Sequence, residues 1–597
     1  GLPRVYDIAL ETISHGDGRV DPESLNRFVT SYQTVIPLKL GELWAIPIML
    51  RLALIENLRR VAVRIAAGRI ERNLADSWAD QMFEIVETDP KNLVLVIADM
   101  ARSKPPMTTP FVSEFARRLQ GHSAALALPL NWVEQHLAES GRTIEQMVQT
   151  GNQHQAADQV SISNTIGSLR FLATMDWRSF VESQSGVEHI LSQDPHGTYA
   201  TMDFATRDCY RHVIENLARK SPRSETDLAR LSIEFAREGA IRNGPQDRTA
   251  HVGYYLIDKG LSTLERAAEV RLPFLKHLGR IATKAPMWAY VGPILSLTLI
   301  FTLTLVYYAN ARGYSDWIML PVALLALLGT SQLAVALVNW LACLFTHPHP
   351  LPRLDFSTGI PDKCRTLVVV PTLLSTPESI ESLVEALEVR FLANRDVNLH
   401  FGLLTDFCDA PEAVLLQDES LLHLVKKRIE SLNEKYQDTH ASAFFLFHRP
   451  RVWNPHDRIW MGYERKRGKL SDLNAFLRSD ALHSNSDASS IEPSPTGTQA
   501  LDSAPPASGA FSLIVGHIQA LRGTQYVITL DTDTQLPRDA ARQFIGAMAH
   551  PLNRAHYDEK RQRVTEGYGI LQPRVDTSLS LTRTSLFAKL HSGTPGI

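Results

Sequence analysis

Cysteine is scarce in this 597-residue chain. The four present, Cys209, Cys343, Cys364 and Cys408, form no C-x-x-C pair. That excludes a disulfide framework and a cysteine-based zinc site, and it suits a reducing compartment. An excess of charge is also missing. The chain has 61 Lys and Arg against 64 Asp and Glu, a net −3, so no nucleic-acid partner is indicated. The start, GLPRVYDIAL, has neither a Met nor a signal peptide, and the end, KLHSGTPGI, is turn-like. Both read as cuts in a longer protein. Charged residues are absent from two long stretches, Pro286 to Ala309 and Trp317 to Thr346.

Each of those stretches is long enough, as a helix, to cross a hydrocarbon core of about 30 Å, which takes roughly 20 residues. Only NARGYSD (Asn310 to Asp316) separates them, so residues 286–346 are expected to form a transmembrane helical hairpin in a lipid bilayer. Trp288, Tyr290, Tyr307, Tyr308, Trp317 and Trp340 cluster near the ends, as interfacial anchors do. A buried pair of core helices is the alternative, but two uncharged runs of this length are rare in water. Arg266, Arg271, Lys276, Arg280 and Lys284 precede the first run; Arg353, Lys363 and Arg365 follow the second. The loop between holds only Arg312, offset by Asp316. The positive-inside rule therefore puts both flanking regions in the cytoplasm.

Residues 1–285 read as a helical cytosolic region. Apolar residues recur at three- and four-residue spacing, as in Leu50, Leu54, Leu58 and Val61, while Arg51, Glu56 and Arg59 argue against a membrane span. HGDGRVDPESLNRF lacks the calcium-loop frame and predicts a turn with Asp21 as N-cap and Pro22 at the first helical position. No catalytic constellation stands out here, so a packing or regulatory role is expected.

From about residue 363 strands alternate with helices. RTLVVVPTLL predicts a buried strand ending at Pro371, and ESIESLVEALEVRFLAN a helix. LHFGLLTDFCDA and AFFLFHR predict further strands, LSDLNAFLRS a helix start, YVITL a strand, PRDAARQFIGAMAH a helix and YGILQPRV a strand. Such alternation implies a largely parallel sheet covered on both faces. Residues 480–510, rich in Ser, Pro and Ala and without Lys or Arg, read as a disordered insertion.

Ligands of open α/β sheets bind beyond the carboxyl ends of the strands, where Asp406, Asp531 and Asp533 fall. Carboxylates two residues apart on an extended segment point the same way and repel each other unless a cation joins them. Mg²⁺ or Mn²⁺ accepts such oxygens and keeps positions open for phosphate. A solvated turn is the plainer reading of D-x-D alone. The run ERKRGKLSDLN adds Arg465, Lys466, Arg467 and Lys469, then Asn474. Their charge suits a diphosphate, although a solvated basic loop would look the same.

These stretches carry a resemblance. Residues 363–597 look like a GT-A, Rossmann-like inverting glycosyltransferase domain. More narrowly, ELWAIPIMLRLALIENLRRVA, DQVSISNTIGSLRFL, GYERKRGKLSDLN, LDTDTQLPRDA, MAHPLNR and GYGILQPRV are similar to the cyclic β-1,2-glucan synthases, glycosyltransferase family 84. The resemblance implies a multi-pass protein of the bacterial inner membrane with a cytoplasmic transferase domain. It further implies UDP-glucose as donor, a growing β-glucan chain as acceptor and a divalent metal at Asp531 and Asp533. Asp406, Lys469, Asn474 and Asp531 become donor-binding residues. Family members continue beyond this end with a T-E-D motif carrying the general base and a Q-x-x-R-W motif. Neither is present, so the transferase domain reads as truncated and no catalytic base is assigned. Two alternatives are another processive membrane polysaccharide synthase and a non-catalytic membrane scaffold.

Overall fold

The computed structural model describes residues 3–271, 286–313, 316–345, 350–437, 443–479, 490–491 and 510–573. Most of the expected insertion, the basic residues Lys276, Arg280 and Lys284, and everything after residue 573 lie outside these ranges.

The chain divides into two units. The first comprises Gly1–Leu191, Ile214–Arg219 and Arg223–Arg230, the second Ser192–Val213, Lys220–Pro222 and Leu231–Ile597. The first unit is helical, as its apolar spacing predicts. Its longest helix, Leu40–Thr88, buries Leu50, Leu54 and Val61 of the expected stripe. The Pro22–Gln33 helix begins as expected: the Ser24 N–H donates to Asp21 Oδ1 at 2.9 Å, with Pro22 next in line. That bond satisfies one of the four N–H groups a helix start leaves unpaired.

In the second unit, Met287–Ala311 and Trp317–Leu344 are long and apolar enough to cross a membrane. Polar side chains join the two helices. Thr302 and Thr330 share a hydrogen bond of 2.8 Å, and Tyr290 donates to Asn339 Oδ1 at 2.8 Å. Leu299, Leu303, Leu324 and Leu328 are exposed, unlike the outer face of a core pair in water.

The rest of this unit is built on a six-stranded sheet. In chain order its strands are β1 (Thr366–Leu374), β2 (Leu399–Phe407), β3 (Phe444–Arg449), β6 (Ser490–Ile491), β7 (Leu513–Val515) and β8 (Tyr526–Thr529). The spatial order is β6-β7-β3-β2-β1-β8. β8, β1, β2 and β3 run parallel; at one edge β7 pairs antiparallel with β3, and β6 antiparallel with β7. This is the mixed, partly parallel sheet of an α/β domain. Helices Pro377–Ala393 and Asp418–Tyr436 pack on it through Ile380, Leu387, Phe391, Val425 and Ile429.

Two departures from the sequence reading have physical reasons. β1 does not end at Pro371 but runs to Leu374. β8 pairs only with Thr366–Val369. Val369 accepts from Leu530 on the β8 side, and alternate residues face the same neighbour. The N–H that Pro371 lacks would therefore point where β8 has already left. In YGILQPRV, the described residues contain one bridge, Tyr568 to Arg554, and no strand. Two antiparallel hairpins were not anticipated: β4 (Val452–Asn454) with β5 (Ile459–Met461), and β9 (His556–Asp558) with β10 (Arg563–Glu566). At three or four residues per strand they are too short for periodicity to register.

Candidate functional site

The sheet order has a consequence. From β1 the chain moves one way to β2 and β3, then returns to place β8 on the other side of β1. The carboxyl ends of β1 and β8 therefore flank a topological switch point, where open α/β sheets form a crevice. The last ladder bond there runs from the Leu530 N–H to the Val369 carbonyl, 3.0 Å. Asp531 and Asp533 follow at once, both exposed.

Across the crevice, at the end of β2, Asp406 is 1% exposed. Arg449, at the end of β3, grips it with Nε to Oδ1 at 2.9 Å and Nη2 to Oδ2 at 3.0 Å. This is the bidentate geometry in which arginine and carboxylate match best. Lys469 Nζ lies 3.1 Å from Oδ2 and donates to the Thr372 carbonyl of β1 at 2.7 Å. Arg449 Nη1 reaches Asp472 Oδ2 at 2.6 Å. Burial pulls the Lys469 ammonium below its ordinary pKa, and Asp406 only partly opposes this. Burial works on Arg449 in the same sense, but Asp406 and Asp472 outweigh it and its pKa is raised. The chain passes close by at Gly462, where a Cβ would lie 2.3 Å from Asp406 Oδ2.

Lys469 sits on the helix Arg465–Leu477, whose N-terminus is unusual. Glu464 and Arg465 both have positive φ, 48° and 45°, and no side chain caps the helix. Arg465, Lys466 and Arg467 crowd the first turn. Cations there oppose the helix dipole and free N–H groups, so the arrangement favours an anion. Strain of this kind collects at ligand sites. Lys466 pairs with Asp531 across the crevice, and Arg465 pairs with Asp409 at 2.8 Å. The β4–β5 hairpin closes this side through paired backbone bonds of Trp460 and Ala410, 2.9 Å each.

Among the residues expected from the sequence, the structure thus gathers Asp406 and Lys469 in one network and joins Asp531 to the same helix through Lys466. Asn474 is exposed. It lies about 140° round the helix from Lys469 and is not brought to Asp406. Among the described residues no group of three or more His, Cys, Asp or Glu is gathered for a metal. Two carboxylates remain, which is the protein share typical of Mg²⁺ held jointly with substrate phosphates.

Two residues went unread in the sequence. Arg449 looked like the end of a strand. Arg390, on Pro377–Ala393, is 4% exposed and donates to the backbone carbonyls of Thr532 and Thr534, both at 2.8 Å. The available signal was its position: a charge on the apolar stripe with Val384, Leu387 and Phe391.

No protein-family model matches the chain. A curated protein does. Along its whole length the chain is 32% identical to cyclic β-(1,2)-glucan synthase NdvB of Rhizobium meliloti (strain 1021). The chain is a relative of the cyclic β-(1,2)-glucan synthases. It spans about a fifth of that synthase's length: 100% of this chain aligns with 20% of the relative. The alignment therefore includes the two apolar helices as well as the sheet and its crevice.

Proposed function

We propose that this chain carries the donor site of a membrane-bound inverting glucosyltransferase of GT-A type, which uses UDP-glucose to build cyclic β-1,2-glucan. One observation carries the reading. The Asp531-x-Asp533 loop stands at the switch point of the sheet, facing a helix N-terminus that bears Arg465, Lys466 and Arg467. A sugar diphosphate fits between a pair of carboxylates that share a cation with it and a positively charged helix start. A Mg²⁺ or Mn²⁺ ion on Asp531 and Asp533 would act as a Lewis acid for the departing nucleoside diphosphate.

The chain's own residues do the rest of the binding. A carboxylate has about four acceptor sites, and Arg449 and Lys469 occupy three on Asp406. The remaining site can accept one N–H from the uracil ring. Arg465, Lys466 and Arg467 hold the diphosphate oxygens, and Asn474 is assigned to donor binding. Inversion needs a base within hydrogen-bond reach of the acceptor hydroxyl, and none of these residues takes that role. The site is assigned to the cytoplasmic side of the bacterial inner membrane; the two apolar helices and the basic residues that flank them support that reading.

Equilibrium binding to the chain in detergent, with Mn²⁺, tests this. UDP-glucose should bind at least tenfold tighter than ADP-glucose or GDP-glucose. Equal affinity for all three, or for none, would refute the donor assignment. Linkage analysis of the polymer made by a longer protein containing this segment then decides between β-1,2-glucan and another polymer.

A further inference from the structure

When β8 ends at Thr529, the carbonyls that follow lose their sheet partners. The Asp531 carbonyl accepts from the Thr534 N–H at 3.1 Å, and one side chain supplies the donors for the Thr532 and Thr534 carbonyls. Arg390 Nη2 lies 2.8 Å from the Thr532 and Thr534 carbonyls and 3.4 Å from that of Asp531; Nε adds a bond of 3.1 Å to Thr534. The same helix end secures the far part of the loop. Asn394 donates to the Leu536 carbonyl and accepts from the Ala541 N–H, and the Asp539 N–H donates to the Ala393 carbonyl. The carbonyls are thus drawn inward and the carboxylates of Asp531 and Asp533 are left outward.

Arg390 is an odd choice for a mere prop. A buried cation is costly unless paired, and this one bonds to carbonyl dipoles rather than to a carboxylate. Among the described residues, buried Nη1 has no hydrogen-bond partner. Burial holds the guanidinium below its usual pKa, opposed by the charge of Asp533. An asparagine or a leucine would fill such space at lower cost. A rigid planar fork that reaches three carbonyls of one loop is what arginine alone provides.

We propose that Arg390 is the positioning residue of the D-x-D loop. By fixing the carbonyls of Asp531, Thr532 and Thr534 it sets where the two carboxylates stand, and so sets affinity for the divalent cation with its diphosphate. The affinity part rests on the metal reading above; the clamp on the loop does not.

Arg390→Lys and Arg390→Met in the full chain test it with two readouts. In metal-free amide hydrogen exchange, the Thr532–Leu536 segment should exchange at least tenfold faster in both variants. The β1 and β2 segments should keep their wild-type protection. In calorimetry with Mn²⁺ and UDP, affinity should fall at least tenfold in Arg390→Met and by an intermediate amount in Arg390→Lys. Unchanged loop exchange would overturn the proposal. So would Mn²⁺–UDP affinity within twofold of wild type, or loss of β1 and β2 protection in both variants, which would make Arg390 a general core residue. If the wild-type chain binds UDP with no dependence on Mn²⁺, the metal reading and the affinity part fail together. Faster loop exchange in the variants would still establish the clamp.

Discussion

Replacing Asp406 by asparagine should cost far more stability than replacing Asp533, although both are proposed to serve the same donor. Asp406 neutralises two cations that are nearly as buried as itself, Arg449 at 4% and Lys469 at 3% exposed. In Asp406→Asn, Arg449 keeps Asp472 at 2.6 Å, but Lys469 keeps only the Thr372 carbonyl at 2.7 Å. Removing one partner of a buried pair costs about 3–5 kcal/mol. Lys469 can limit the damage by losing its proton. From an ordinary pKa near 10.4, deprotonation at pH 7 costs about 4–5 kcal/mol, so that is the ceiling. Burial already lowers the Lys469 pKa, which brings the ceiling down further. The expected loss is about 3–4 kcal/mol, a fall in melting midpoint of about 4–5 °C for a unit of this size. Exposed Asp533→Asn should stay within about 0.5 kcal/mol of wild type. Thermal unfolding of both variants in detergent, followed by fluorescence, measures this. An Asp406→Asn protein that melts like wild type would refute the view of Asp406 as the centre of a buried charge network.

Three further outcomes are expected. Gly462→Ala places a Cβ 2.3 Å from Asp406 Oδ2, so it should weaken UDP binding at least tenfold; binding unchanged in calorimetry would contradict the geometry. His448 is buried and neutral, its pKa pushed down by burial to about 4. Its folded pKa lies below the unfolded value near 6.5, so its contribution is present above about pH 6.5 and lost as pH falls through about 4. The span is worth about 3 kcal/mol; His448→Gln should flatten the fall in melting midpoint between pH 7 and 4.5, and an unaltered pH profile would count against it. For topology, Arg312→Cys in a chain freed of its four native cysteines should react with an impermeant thiol reagent in intact cells. Ser357→Cys should react only after the cells are opened, and its labelling in intact cells would reverse the proposed orientation.

The parts of the site that the sequence displayed are those whose chemistry is local. Asp531 and Asp533 stand two apart after an apolar strand, and Arg465 to Lys469 crowd five residues. Adjacency alone makes such groups visible. The alternation of strands and helices was visible for the same reason, since periodicity is a local signal. What escaped was set by contacts far apart in the chain. Arg449 finds Asp406 across 43 residues and Arg390 finds Thr534 across 144. A lone arginine in an apolar helix looks like any polar interruption until the loop it holds is in view. The first-turn position of Arg465, Lys466 and Arg467 was missed too. The helix starts without a capping side chain and with two residues of positive φ, so none of the usual start signals marked it.

The central claim is that Asp531 and Asp533 bind a divalent cation together with a uridine diphosphate. Calorimetric titration of UDP into the chain, with and without Mn²⁺, in wild type and Asp533→Asn, addresses it most directly. Wild type should bind at least tenfold tighter with Mn²⁺ than without, and Asp533→Asn should lose that gain while keeping its metal-free affinity. Equal Mn²⁺-dependent affinity in the two proteins would contradict the account.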